Sequence, residues 1–120
     1  MRATQAVPVG AVPAPRRGRT SRSKWRALLE SRWRDRLAEL TDLSVAYHDA
    51  TAPVRGTGAH ESQRLLSRQA VVARYALAET DKALHRLATG EFGRCEECAG
   101  DIPQARLLIE PEARYCERCA

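Results

Sequence analysis

Two Cys-x-x-Cys pairs near the C-terminus constrain the fold more than any other feature of the chain. The pairs are Cys95/Cys98 and Cys116/Cys119, and residues 99–115 separate them. This spacing is typical of a zinc site, because each pair can turn two thiolates inward from one tight knuckle and two knuckles complete a tetrahedron. Four sulfur ligands leave no coordination position open. The pattern therefore predicts one structural Zn²⁺, bound by the four cysteines, rather than a catalytic metal.

Two disulfides in a small secreted domain are the alternative use of four cysteines. The N-terminus lacks a long apolar segment after a basic start, which disfavours a signal peptide. Residues 1–29 carry no acid and are rich in Arg, Ser and Thr, a composition that is also typical of a transit peptide. No apolar run reaches the roughly 18 residues that a membrane span needs. We expect a cytoplasmic protein without a membrane partner, since a reducing compartment suits zinc thiolates.

Charge is divided unevenly along the 120 residues, whose net charge is +5. Residues 1–36 hold ten basic residues against Glu30 and Asp35, whereas residues 91–120 hold four basic residues against seven acids. Residues 1–23 combine Pro, Gly and Arg and bury too little apolar surface to offset the entropy of ordering, so they predict a disordered basic tail. Such a tail either contacts nucleic-acid phosphates non-specifically or only adds solubility.

Two amphipathic segments before the cysteines predict a helical hairpin. Helix one is expected from about residue 24 to 47, and helix two from about residue 61 to 88. Residues 48–60 contain Pro and Gly and are expected to form the loop at the tip. The apolar stripe of helix one comprises Leu29, Trp33, Leu37, Leu40, Leu43 and Tyr47. The heptad seam of helix two, in which only Thr80 is polar, comprises Leu66, Ala70, Ala73, Leu77, Thr80, Leu84 and Leu87.

The predicted fold class is therefore mainly α. A long antiparallel helical hairpin, or coiled coil, covers residues 24–89, and a four-cysteine zinc finger covers residues 90–120 after a Gly90 C-cap. We expect the finger at the open base of the hairpin, opposite the tip. No nucleophile–base pair and no phosphate loop is recognisable in the sequence, so we predict that the protein is not an enzyme.

The finger needs a small core and a surface on which to dock. The predicted core consists of Phe92, Ile102, Leu107 and Leu108. On helix two, three residues widen the apolar face beyond the seam and are the predicted docking surface: Val72, Tyr75 and Ala76.

The residues around the cysteines form a longer motif. It reads Gly90-Glu91-Phe92-Gly93-x-Cys95-x-x-Cys98, then Ile102-Pro103-x-x-Arg106-Leu107, Pro111 and Cys116-x-x-Cys119. This motif closely resembles the zinc finger of the DksA/TraR family, and the preceding hairpin matches that family in architecture, over about residues 25–120. The resemblance implies a transcription regulator that binds RNA polymerase rather than DNA and inserts the hairpin tip into the secondary channel. We expect it to act as a monomer.

The tip departs from the family pattern. Well-known members carry an Asp-x-x-Asp-x-Ala motif there, of which only Asp49 is matched, with Ala46 and Thr51 at the other two positions. The residues that the resemblance implies as contacts to the partner are Asp42, His48, Asp49 and Arg55. On the residues alone, His48 and His60 are two solvated histidines that flank the loop rather than a metal pair.

Two further departures concern the finger. Members that bind the alarmone ppGpp use basic residues at positions that correspond here to Glu79, Glu110 and Ala120. Acidic or neutral side chains there repel or ignore a polyphosphate, so we predict no alarmone site of this kind. The usual Gly after the second cysteine is Ala99. Since Gly there favours φ > 0, we expect strain in the first knuckle.

Two other functions are compatible with the same residues. The cysteine spacing also occurs in GATA-type fingers, which read DNA directly. An acidic finger is poorly suited to that role, since affinity for DNA comes largely from neutralised phosphates. The third hypothesis is a helical adaptor whose heptad seam pairs with a coiled coil of another protein.

Overall fold

The described residues of the protein, in a computed structural model, contain two long helices and one short helix. The structure describes residues 13–50 and 58–120, with side chains over 22–49 and 60–120. The helices are α1 (Pro13–Ala50), α2 (Gly58–Thr89) and α3 (Gln104–Ile109). Within these ranges there is no strand, only an isolated antiparallel bridge between Arg94 and Asp101. No described helix is long and apolar enough to cross a membrane.

The two long helices pack side by side as an antiparallel hairpin, as the sequence predicts. At about 1.5 Å per residue, α1 is about 57 Å long and α2 about 48 Å. The predicted seam of α2 faces α1: Ala73, Thr80 and Leu87 are buried, and Leu66, Ala70, Leu77 and Leu84 are half-buried. We call the end near Ala50 and Gly58 the tip, and the opposite end the base.

Both helices are longer than predicted. α1 begins at Pro13, so residues 13–23 of the expected tail are helical. The helix tolerates its prolines because they lie in its first turn. A backbone N–H there has no acceptor within the helix, so its absence costs no hydrogen bond. At the tip, α1 continues through Ala50 and α2 begins at Gly58. His48, Asp49 and His60 are thus helical rather than loop residues, while residues 1–12 and 51–57, the latter with Arg55, lie outside the described residues.

The inward face of α1 differs from the predicted stripe. Leu29 is fully buried, but Leu37 and Tyr47 are 40% and 38% exposed. Arg32 and Arg36 are half-buried between the apolar positions and reach across the base of the hairpin. Periodicity of apolar residues misses such positions, because an arginine stem packs like an aliphatic side chain while its guanidinium finds a polar partner.

A Schellman motif ends α2 and directs the chain towards Cys95. Gly90 has φ +84°, its N–H bonds the Leu87 carbonyl at 3.4 Å, and the Glu91 N–H bonds the Arg86 carbonyl at 2.8 Å. A residue with a Cβ is strained at this φ, so glycine is the natural C-cap. The predicted cap at Gly90 is confirmed.

The C-terminal module, residues 90–120, packs on the base of the hairpin through an aromatic pair. Trp25 of α1 and Phe92 of the module lie 5.2 Å apart between ring centroids, at a tilted 48°. Both rings contact two small cores, one inside the module (Cys95, Ile102, Leu107, Ala113 and Cys116) and one inside the hairpin (Leu29, Ala83 and Leu87). The pair therefore joins the two cores into one.

Two predictions about this packing are wrong. Val72 and Tyr75 are 67% and 63% exposed, so they are not a buried docking surface. Ala76, the third predicted residue, is half-buried and lines with Tyr75 a cavity that Glu110 and Glu112 of the module also line. Leu108 is exposed as well, because Leu107 alone of the two leucines of α3 points into the core of the module. Ile102 and Leu107 are buried as predicted, and Phe92 is half-buried.

Candidate metal centre

The first knuckle is shaped by backbone hydrogen bonds on both sides of Cys95. The Cys95 N–H donates to the Gly100 carbonyl at 2.7 Å, and the Ile102 N–H donates to the Gly93 carbonyl at 2.7 Å. The Ala99 N–H returns to the Cys95 carbonyl at 2.9 Å, which closes a tight turn around the two thiols. Gly93 has φ +81°, and a Cβ there would lie 3.4 Å from Leu107 Cδ1.

The second knuckle repeats this turn at the C-terminus. The Cys119 N–H and the Ala120 N–H both donate to the Cys116 carbonyl, at 3.1 and 2.9 Å. A hydrogen bond from the Glu96 N–H to the Arg114 carbonyl, 2.8 Å long, holds the two knuckles together. The four thiols thus converge from two separate turns of backbone.

The four sulfur atoms are spaced as metal ligands rather than as disulfides. All of them lie within 4.8 Å of one another. The Sγ atoms of Cys98 and Cys116 are 3.8 Å apart, and all four cysteines are free thiols. A disulfide requires a separation of about 2.05 Å, whereas sulfurs at about 2.3 Å from a tetrahedral ion are about 3.8 Å apart. The donor set therefore fits one metal ion.

Ionisation of two of the thiols, those of Cys95 and Cys116, is favoured by the knuckles themselves. Burial opposes it at Cys95, but N–H groups of Cys98, Cys116 and Glu97 stabilise the thiolate and lower its pKa to about 6. The pKa of Cys116 is lowered in the same way, against the effect of burial. The pKa of Cys119 is raised to about 12, because its thiol hydrogen-bonds to Cys116 and is shielded from solvent. Such close thiolates call for a cation to balance their charge.

Ala99 carries the strain that the sequence predicts for the first knuckle. Its φ is +62°, the single positive value among the described residues other than glycine. A non-glycine residue pays roughly 1–2 kcal/mol in this region, while a glycine adds roughly 0.5–1 kcal/mol of unfolded-state entropy. The strain lies between Cys98 and the Gly100 N–H, which donates to the Cys98 sulfur at 3.4 Å.

We expect Ala99→Gly to raise the free energy of unfolding by about 0.5–1 kcal/mol, since relief of the strain exceeds the added entropy. Urea denaturation of the metal-loaded protein measures this change. The matched control is Ala105→Gly in α3, where the backbone is helical and the same substitution should destabilise by about 0.5–1 kcal/mol. Destabilisation by both substitutions would contradict the strain.

A buried carboxylate locks the module onto both helices. Glu112 is 7% exposed and accepts two hydrogen bonds of 2.8 Å from Arg32, one to each oxygen. The Thr80 hydroxyl lies 2.7 Å from Glu112 Oε2 and accepts a bond from Arg36 Nε at 3.2 Å. Arg86 of α2 adds a 3.3 Å bond to the Glu112 carbonyl. We call this network the Glu112 clamp.

A second, more exposed network continues the junction. Arg114 donates from two nitrogens to Glu96 Oε1, at 3.1 and 3.0 Å, and lies 3.8 Å from Glu79 of α2. Arg86 is 3.7 Å from the other oxygen of Glu96. The hydrogen bond from Arg114, more than its charge, lowers the pKa of Glu96. Glu79, one of the positions compared with the alarmone site, is therefore engaged by the module, with Lys82 at 3.2 Å on its other side.

The predicted partner-contact residues at the tip do not form a cluster. Asp42, His48 and Asp49 are exposed on α1, and Asp42 and Asp49 are two helical turns apart. Arg55 is outside the described residues. His60, at the start of α2, is exposed.

Sequence reasoning missed the Glu112 clamp. Its one visible signal was Thr80, the only polar residue in the seam of α2 and fully buried in the structure. A polar residue in a heptad seam demands a partner, but nothing in the spacing indicates that the partner is a carboxylate 32 residues later.

The chain was compared with protein families, curated proteins and solved structures. No protein-family model matches it. A protein of Aquifex aeolicus (strain VF5), described as uncharacterized, is 39% identical over 59 residues, which are 49% of this chain and 41% of that protein. The match thus spans less than half the length of this relative. The structure of transcription factor DksA2 from Pseudomonas aeruginosa is similar over 83% of this chain and 80% of that one, with a TM-score of 0.80 and 25% identity.

These findings define a helical-hairpin protein whose base carries a four-cysteine module of the zinc-finger type. Within that class, the resemblance to the DksA/TraR family is confirmed: the chain has the fold of DksA2, and its four cysteines converge at one site.

Proposed function

We propose that this protein is a transcription regulator that binds RNA polymerase in the cytoplasm through the hairpin tip. The observation that carries the proposal is the likeness to transcription factor DksA2, which extends over hairpin and cysteine module together. The hairpin is about 50 Å long and narrow, a shape that suits insertion into a channel. The protein acts by contact rather than by chemistry, and it functions as a monomer.

The metal proposed for the four-cysteine centre is one Zn²⁺, held by Cys95, Cys98, Cys116 and Cys119. Thiolates are soft ligands, and a tetrahedral set of four sulfurs is typical of structural zinc. Because the four thiolates leave no coordination position open, the ion cross-links the two knuckles and takes no part in catalysis. Its role is to stabilise the module that packs on the base of the hairpin.

The tip of this protein acts differently from an Asp-x-x-Asp-x-Ala tip. Asp49 is the one acid at the matching positions, and Ala46 beside it is half-buried. A single carboxylate holds a divalent cation weakly. The proposed action is therefore through contact with the walls of the channel, and the protein has no ppGpp site at Glu79, Glu110 and Ala120.

Replacement of residues 48–60 by a short Gly/Ser loop should abolish binding to RNA polymerase and leave the module folded, since no residue of the base or of the cysteine centre is altered. The test is capture of tagged protein from its own cells at moderate salt after nuclease treatment. We expect core RNA polymerase with the intact chain and on the order of tenfold less with the altered tip, because few residues carry most of the binding energy of an interface.

The matched control is Arg26→Ala/Arg34→Ala, two exposed positions of α1 away from the tip. This variant should recover polymerase normally, and zinc content and helical circular dichroism should be unchanged in all three proteins. Equal recovery with the altered tip would refute the tip-centred mechanism. Recovery that depends on nucleic acid would favour direct DNA binding instead, and capture of an unrelated helical protein would favour the adaptor.

A further inference from the structure

A groove on one side of the hairpin lies close to the tip. It consists of two adjoining cavities of about 380 and 420 Å³ that share Tyr47 and Ser67. Its floor is apolar, with Leu40, Leu43 and Val71, and Val71 is 57% exposed. We call it the distal groove.

The rim of the distal groove is basic. Arg64, Arg68 and Arg74 of α2 line it, and no Asp or Glu does. None of the three guanidiniums has a hydrogen bond or an ion pair to a residue within the described ranges. Glu61 lies one turn from Arg64 and two turns from Arg68 and lines a neighbouring cavity with both, but it forms no ion pair with either.

The base of the hairpin shows the opposite pattern. There, Arg32, Arg86 and Arg114 are each paired with a carboxylate of the module. The acids of the tip half of α1, Glu39, Asp42 and Asp49, do not line the groove. The distal groove thus combines exposed apolar surface with three arginines that form no ion pair with a described residue.

We propose that the distal groove binds an acidic amphipathic helix of a partner protein. A carboxylate offers each guanidinium the paired, charge-assisted hydrogen bonds it lacks, and apolar side chains on one face of a helix fill a groove between two helices. The rim extends from His60 to Arg74, about 21 Å along α2, which matches a partner helix of roughly 14 residues. A nucleic acid would satisfy the arginines but leave the apolar floor exposed.

This surface shares only His60 with the segment replaced above, and its test does not require polymerase. The probe is a fluorescent amphipathic peptide of roughly 14 residues, built from Leu, Ala and Glu with leucines at i, i+3 and i+4 spacing. Its partner probe has every Glu replaced by Lys. Fluorescence anisotropy with the zinc-loaded protein measures the dissociation constants.

We expect the Glu peptide to bind and the Lys peptide not to bind. Arg64→Glu/Arg68→Glu should weaken binding of the Glu peptide on the order of tenfold or more, because attraction becomes repulsion. Val71→Ser should weaken it a few-fold through loss of apolar contact. Arg26→Glu/Arg34→Glu is the control with the same change of charge outside the groove, and it should bind as the natural protein does.

Several results would overturn the proposal. Absence of binding to the Glu peptide, or equal binding by the groove variant and the control variant, removes the acidic helix as occupant. Tighter binding of a single-stranded oligonucleotide, lost in the groove variant, makes the groove a nucleic-acid surface. Self-association in sedimentation that the groove variant loses makes a second copy of this chain the occupant.

Discussion

Cys95→Ser is expected to release the metal and unfold the C-terminal module. Structural zinc contributes about 10–16 kcal/mol of apparent free energy in finger peptides, which is comparable to the whole stability of a small domain, about 5–15 kcal/mol. A serine oxygen is a poor ligand for a site of soft thiolates. Since Trp25 stacks on Phe92, loss of the module also exposes the core at the base of the hairpin.

Atomic absorption and thermal denaturation measure the effect. We expect one zinc per natural chain, less than one per Cys95→Ser chain, and a melting transition that is lowered strongly or absent. Glu97→Ser is the matched control, because Glu97 is exposed in the same knuckle and its replacement should leave stoichiometry and melting unchanged. Full zinc content with normal melting in Cys95→Ser would show that three cysteines suffice.

Glu112→Gln is the second change with a large expected effect, because it breaks the Glu112 clamp. A fully buried ion pair that loses one partner costs about 3–5 kcal/mol. Arg32 and Arg36 keep about 30% and 28% of their side chains exposed, so water screens part of their charge, and we expect about 2–3 kcal/mol. Urea denaturation of the zinc-loaded proteins tests this value. The control is Glu110→Gln, exposed two residues away, which should change stability by less than about 0.5 kcal/mol.

The pH dependence gives an independent test of the clamp. Burial opposes ionisation of Glu112, but hydrogen bonds from Arg32 and Thr80 outweigh it and lower the pKa of the carboxyl. A carboxyl whose pKa is lowered by folding stabilises the protein above its unfolded pKa, about 4.3, and this contribution disappears as the pH falls through the folded pKa. The stability difference between the natural protein and Glu112→Gln should therefore be constant above about pH 5 and shrink below about 4.3. A constant difference down to pH 3 would contradict the role of the charge.

Local patterns in the sequence predicted most of the elements. The seam of α2 and the Gly90 cap each depend on residues close in sequence, and so does the strain at Ala99. The convergence of the four cysteines was predictable because metal ligation imposes a recognisable spacing. In each of these cases the physical constraint acts through a regular local spacing, either along one helix or within and between the two knuckles.

What the sequence did not reveal depends on contacts between distant residues. Arg32 and Glu112 are 80 residues apart, and neither looks like a core position by its polarity. The docking surface was placed at Val72 and Tyr75 because apolar residues are expected to be buried, whereas the module is held by charge and by the Trp25–Phe92 pair. The helix ends were also misjudged, since Pro and Gly mark where a helix is able to end and not where it does end.

The position of the buried residues along the hairpin has a mechanical consequence. Four of the five buried positions of the described hairpin lie near the base, namely Leu29, Thr80, Ala83 and Leu87, and the fifth, Ala73, lies in the middle of α2. The ion pairs among the described residues also lie at the base or within the module, from Arg32 to Arg114. Local opening costs least where buried contacts are fewest. The hairpin is therefore stiff at its base and compliant at its tip. The helical turns that first meet a partner are those that bend to fit it at the lowest cost in free energy.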